Sequence, residues 1–138
     1  MHQNERDLWP LIYVSHPFGE DVDKLHRAEC WVTYLVRRFP AIFWAPWIPL
    51  CRHWPSHSVE ARARGLEFDL AAVRRSDGVI LVGGCISPGM SLERDAASNC
   101  LDASIVRTPD ELCADDVATI EGWIATTTRN RVRSDPPK

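Results

Sequence analysis

Val79-Ile80-Leu81-Val82-Gly83-Gly84-Cys85-Ile86-Ser87-Pro88-Gly89-Met90-Ser91-Leu92-Glu93 is the stretch whose reading decides the fold. Val79 to Val82 is an unbroken apolar run of the length of a buried strand. Glycines then turn the chain. Ser87 is placed to cap a helix, and Pro88 is preformed for that helix's first position. A strand that turns tightly into a capped helix is the unit of a parallel α/β sheet. The helix's positive end faces the strand tips, where open sheets of this kind bind ligands. Gly89 lets a ligand come close to the backbone. Glu93 follows one to two turns inside the helix, and its carboxylate is expected to stay ionised beside the helix N-terminus.

The same alternation extends outward in both directions. Residues 11–14 are apolar and β-branched and run into Ser15-His16-Pro17-Phe18-Gly19, a strand followed by a loop. Residues 21–38 carry Val22, Leu25, Val32, Leu35 and Val36 at helical spacing, and Pro40 ends that helix. Residues 41–47 read as a second strand, stopped by Pro46 and Pro49. Residues 50–58, rich in Trp, His, Pro and Arg, read as a loop with at most a short helical turn. A helix is predicted over 59–75 with the stripe Val59, Ala63, Leu66, Leu70 and Val73. The third strand spans 78–84, the third helix 88–101, a short fourth strand 104–106 and a last helix 115–127. The predicted architecture is a three-layer Rossmann-like or flavodoxin-like α/β sandwich with a mostly parallel sheet of four to five strands. One domain is placed at 8–128, and 129–138 reads as a disordered basic tail.

Bulk properties narrow the function. The chain of 138 residues is 45% apolar, enough for the core of one domain. A formal net charge of -3 argues against binding a nucleic-acid polymer but leaves a single nucleotide open. There is no apolar run long enough for a membrane span and no signal-peptide core near residues 1–7, so no membrane partner is expected. The five cysteines form no CxxC pair, which fits free thiols in a reducing cytoplasm. Cys51, His53 and His57 have zinc-like chemistry but no second ligand pair, so neither metal nor cofactor is expected. The six tryptophans suit a homodimer or higher homo-oligomer.

Three motifs resemble the nucleoside 2-deoxyribosyltransferase-like superfamily, most closely its small DUF4406-like phage and bacterial proteins. The first, Ile12-Tyr13-Val14-Ser15-His16-Pro17-Phe18, is similar to the superfamily's strand-one motif. The second runs from Gly65 through Asp69 to Asp77, eight residues on, where strand three begins. The third, Ile86-Ser87-Pro88-Gly89-Met90-Ser91-Leu92-Glu93, is similar to "SxGMxxE". The resemblance implies an enzyme acting on an N-glycosidic bond, with Glu93 as nucleophile, Asp69 assisting the leaving base or holding the sugar, and Tyr13 hydrogen-bonded to the nucleophile. The ligand it implies is a small-molecule nucleoside or nucleotide.

That chemistry suits the residues. A retaining transfer needs a carboxylate nucleophile and a second group for the leaving-group proton. Burial of Asp69 would raise its pKa and make it a donor. Ser15, Pro17, Phe18, Trp47, Ser87 and Gly89 are the candidate substrate-binding residues; Phe18 and Trp47 can stack on a base, whereas Trp44 reads as packing. Ser87 can serve a phosphate or merely cap its helix. Asp77 reads as a cap or turn residue. One departure stands out: related monophosphate hydrolases carry an Arg after strand one, and His16-Pro17-Phe18-Gly19-Glu20-Asp21 has none. His16, Arg52 and His53 are the available substitutes. The alternative function is a non-catalytic module that binds a nucleotide or a nucleotide-derived ligand.

Overall fold

The computed structural model describes residues 4–18, 21–54 and 58–134. Four strands, β1 (Leu11–Ser15), β2 (Ile42–Trp44), β3 (Gly78–Leu81) and β4 (Cys100–Asp102), form one sheet in the order β2-β1-β3-β4. All three pairings are parallel. Five helices connect and flank them: α1 (Val22–Arg38), α2 (Trp47–His53), α3 (Val59–Arg75), α4 (Pro88–Ala96) and α5 (Ala114–Ser134). The predicted three-layer sandwich is therefore the observed one, with a sheet of four strands.

The two-residue alternation of β1 sorts the molecule into two layers around the sheet. Ile12 and Val14, with Ile80 and Val82, pack on Trp31 and Leu35 of α1 and on Ile120 and Ile124 of α5. Tyr13, with Val79 and Leu81, faces the opposite way, onto Ala72 and Val73 of α3 and Met90 of α4. The sheet order reverses between β1 and β3, where Ser15 lies opposite Leu81. This places the topological switch point at the C-terminal tips of those two strands.

Local chemistry sets the boundaries. Asp21 caps α1 by accepting from the Asp23 N–H at 2.9 Å, and Ser58 caps α3 by accepting from the Ala61 N–H at 3.0 Å. After β3 the chain takes φ of +113° at Gly83 and +95° at Gly84. At Gly83 a Cβ would also come within 2.6 Å of both His16 Cδ2 and Pro17. The tight turn after strand three thus needs glycine for backbone and for space.

Several boundaries differ from the sequence-based expectation. The second strand stops at Trp44 rather than reaching residue 47, because Pro46 and Pro49 suit a helix start. Their missing N–H groups fall in the first turn of α2, where no intrahelical partner exists. On α3 the buried residues are Ala72 and Val73, while Val59 and Ala63 are exposed. The predicted stripe therefore holds in its second half, through the half-buried Leu66 and Leu70 to Val73, and the inward face there also includes Asp69 and Ala72. Helix α4 ends at Ala96, and β4 falls at 100–102 rather than 104–106. Ser104 instead closes a turn, its N–H and Oγ donating to Asp102 Oδ1 at 2.9 and 2.6 Å.

The largest difference is at the C-terminal end. Helix α5 continues to Ser134, so residues 129–134 are helical and not a tail; 135–138 lie outside the described residues. Arg131 explains part of the extension, pairing with Asp77 at 3.4 Å. Asp77 in turn accepts from the Leu11 N–H at 2.7 Å, so it ties α5 to the start of β1. No described helix is long and apolar enough to cross a membrane.

Candidate active site at the β1–β3 switch point

Glu93 reaches the switch point because of how α4 begins. Ser87 Oγ accepts from the Met90 N–H at 3.2 Å, and the Ser87 N–H points back to Met90 Sδ at 3.4 Å. This reciprocal cap, with Pro88 in the first turn, fixes the rotation of the helix. Met90 and Glu93, three residues apart, then share its inward face. Met90 fills the core, and Glu93, only 8% exposed, lies at the strand tips.

There Ser15 Oγ donates to Glu93 Oε1 at 3.0 Å. Tyr13, one pleat earlier on the same face of β1, is fully buried with its phenol beside the carboxylate. Burial raises the pKa of Glu93, and the hydroxyls of Tyr13 and Ser15 pull it part of the way back. The rise runs against the ionised state expected from sequence for a carboxylate near a helix N-terminus. The Tyr13–Glu93 alignment falls short of a conventional hydrogen bond, and the Tyr13 hydroxyl has no other partner. Burial, then the Glu93 and Asp69 charges, push the phenol upward, so it remains a neutral donor.

Asp69 approaches from α3. It is partly buried, its Oδ1 has no hydrogen-bond partner, and burial followed by the Glu93 charge lifts its pKa to about 7. The two carboxyls are therefore unlike. Glu93 is served by hydroxyl donors, which favour its ionised form, whereas Asp69 has none and retains its proton longer. Burial raises both acids, and the Glu93 charge adds to the rise at Asp69.

The remaining predicted residues divide. Ser15 donates to Glu93, which commits its hydroxyl to that carboxylate rather than to a ligand. Trp47 is buried, and its indole N–H donates to the Val14 carbonyl at 2.9 Å, which commits it to the fold instead of an open stacking face. Phe18 packs on it with ring centroids 6.1 Å apart and remains partly exposed. Pro17 is buried against Gly83, and Ser87 is occupied as a cap. At Gly89 a Cβ would meet only Ser87 Oγ at 4.0 Å, so no protein atom requires glycine there. Trp44 packs as predicted, its N–H donating to Ser76 Oγ at 2.9 Å.

The substitutes for the missing loop arginine do not supply it. His16 is buried and donates Nδ1–H to the Pro17 carbonyl at 2.6 Å; burial lowers its pKa, so the ring is neutral. Arg52 pairs with Glu29 of α1, and His53 is exposed. His57 lies outside the described residues, and among those described no three His, Cys, Asp or Glu side chains gather as a metal site. One neighbour was missed from sequence. Cys51 of α2 lies close enough to Asp69 that burial and the Asp69 charge raise its thiol to about 11. Only the packing of α2 against α3 reveals it.

An open parallel α/β domain with a polarised carboxyl pair at its switch point is thus the class of protein that fold and site define. Residues 10–104 match the family described as a domain of unknown function, DUF7768, and the chain belongs to that family. The matched segment begins at β1 and ends beyond β4, and so contains every residue of the cluster. No curated protein and no solved structure matches the chain.

Proposed function

We propose that the protein breaks, and in the presence of a second base re-forms, the N-glycosidic bond of a nucleoside or nucleotide, as a deoxyribosyltransferase or N-glycoside hydrolase. The observation that carries this is the gathering of Glu93, Asp69 and Tyr13, from three separate elements, with the Ser15 hydroxyl donating to Glu93 and burial plus the Glu93 charge holding a proton on Asp69. The motif resemblance to the nucleoside 2-deoxyribosyltransferase-like superfamily supports the same chemistry.

In the first step a Glu93 carboxylate oxygen attacks the anomeric carbon. The carbon–nitrogen bond breaks with its electron pair going to the base, and Asp69 gives the base a proton. Ser15 keeps the attacking carboxylate oriented, and the neutral Tyr13 phenol lies beside it. In the second step water or another base attacks the same carbon from the opposite side. The ester to Glu93 breaks, Asp69 recovers a proton, and the configuration is retained overall. The open side of Gly89 gives a sugar room at the α4 N-terminus. A reducing cytoplasmic setting is part of the proposal, supported by five free cysteines.

The test is chromatography of free base from a panel of nucleosides and nucleotides, with and without a second base. Release that is abolished by Glu93→Gln in a folded protein is the predicted result. Ligand-dependent thermal stabilisation with no release from any panel member would favour the non-catalytic binding module instead.

A further inference from the structure

A cavity of about 790 Å³ lies along α1. One wall is α1, and the others are the 108–110 turn and Arg52 of α2. None of Tyr13, Ser15, Asp69 or Glu93 lines it. Arg27, Cys30, Tyr34 and Arg37 recur along one stripe of α1, as helical periodicity requires. Arg27 and Arg37 stand about 15 Å apart along the axis.

The groove is markedly positive in a chain whose net charge is -3. Arg27, Arg37, Arg38 and Arg52 line it, against the carboxylates of Glu29 and Asp110. Arg52 is paired with Glu29, and Arg38 reaches Glu121 at 3.7 Å through an exposed contact. Among the described residues Arg37 has no carboxylate partner. Arg27 is more telling, because its Nε is buried and donates to nothing. A buried guanidinium N–H without an acceptor is costly and rare in a finished structure. Planar guanidiniums match phosphate oxygens, and the volume is that of a small-molecule site. The partly buried Tyr34 adds an aromatic wall that inorganic phosphate would not use.

We propose that this groove binds a phosphorylated small molecule the size of a nucleoside mono- or diphosphate, at a site separate from Glu93. Calorimetric titration of the full chain with pyrophosphate, ADP and adenosine tests it, with circular dichroism confirming each variant's fold. ADP is expected to bind at least about tenfold more tightly than adenosine, and more tightly than pyrophosphate. Arg37→Glu, at an exposed position, is expected to weaken ADP about tenfold or more, and Arg27→Gln to do the same. Glu93→Gln should leave ADP binding unchanged. Wild-type protein that binds neither ADP nor pyrophosphate would overturn the proposal. So would affinity unaffected by the arginine variants, ADP binding lost in Glu93→Gln, or an oligoribonucleotide preferred over ADP. The readout is binding and not base release, so failure here is distinct from failure of the glycosidic proposal.

Discussion

The two faces of the one sheet are built from the same strands and have opposite characters. Toward α1 and α5, Ile12, Val14, Ile80 and Val82 meet Trp31, Leu35, Ile120 and Ile124 in a dry apolar layer. Polar groups at its margin are satisfied: the Trp31 N–H donates to the Arg107 carbonyl at 3.0 Å, and Asn99 links Trp123 and Thr127, both contacts at 2.8 Å. Toward α3 and α4, alternate residues of β1 present Tyr13 and Ser15 to Glu93 and Asp69. There the Tyr13 hydroxyl and Asp69 Oδ1 are buried without partners. The apolar layer is arranged for stability, and on that side the unpartnered Arg27 Nε belongs to the α1 groove; the other face leaves a phenol and a carboxylate oxygen short of partners at the sheet itself. Such tension is the usual physical signature of a site where a substrate completes the hydrogen bonding.

Substitutions can break or sharpen that contrast. The largest expected effect is Glu93→Gln, which should lower the rate of base release by about a thousandfold or more while the thermal unfolding midpoint holds or rises. A loss of fold instead would make Glu93 a structural residue. Asp69→Asn should cost about a hundredfold in rate and remove the pH dependence assigned to this acid. With Asp69 as the proposed proton donor, kcat/KM for base release in the wild type should fall as pH rises through about 7.

The same group has a stability signature of definite sign. Its folded pKa is raised above the unfolded value, so the folded state holds the extra proton. The favourable difference is present at low pH and is lost as pH rises from the ordinary carboxylate range through about 7. Asp69→Asn should therefore stabilise the protein at pH 8, by something on the order of 1 kcal/mol in denaturant unfolding. On the opposite face the pattern inverts. Ile124→Ala should cost about 3 kcal/mol of stability through a cavity and leave the pH profile of catalysis unmoved. The smallest effect is Ser15→Ala, which removes one of the hydroxyls serving Glu93. It should slow base release about tenfold and move the pH limb belonging to Glu93 upward.

Much of this was legible in the chain, for identifiable reasons. The helix over 59–75 matches its predicted bounds because Ser58 is a side-chain cap and Ser76 leaves the helix at extended dihedrals. The strand–turn–helix from Val79 to Glu93 was legible because glycine, serine and proline each have one favoured position in it. What failed was decided by tertiary contacts. The exposed first half of α3's apolar stripe, Val59 and Ala63, and the inward place of Asp69 follow from where α3 meets its neighbours. The extension of α5 brings Arg131 to Asp77, far away in sequence. Trp47 looked like a stacking residue because its indole donor's partner, the Val14 carbonyl, is invisible in sequence. Cys51 drew notice only for its spacing to His53 and His57, because its neighbour Asp69 lies on another helix.

The central claim is that Glu93 becomes covalently bonded to a sugar, and peptide-level mass spectrometry of protein quenched during turnover tests it most directly. Incubation with a panel of 2′-deoxynucleosides and their monophosphates should place the mass of one deoxyribosyl group, phosphorylated or not, on the peptide containing Glu93, and on no peptide of Glu93→Gln. Base release with no adduct on that peptide under any quench, or an adduct that persists in Glu93→Gln, would contradict the account.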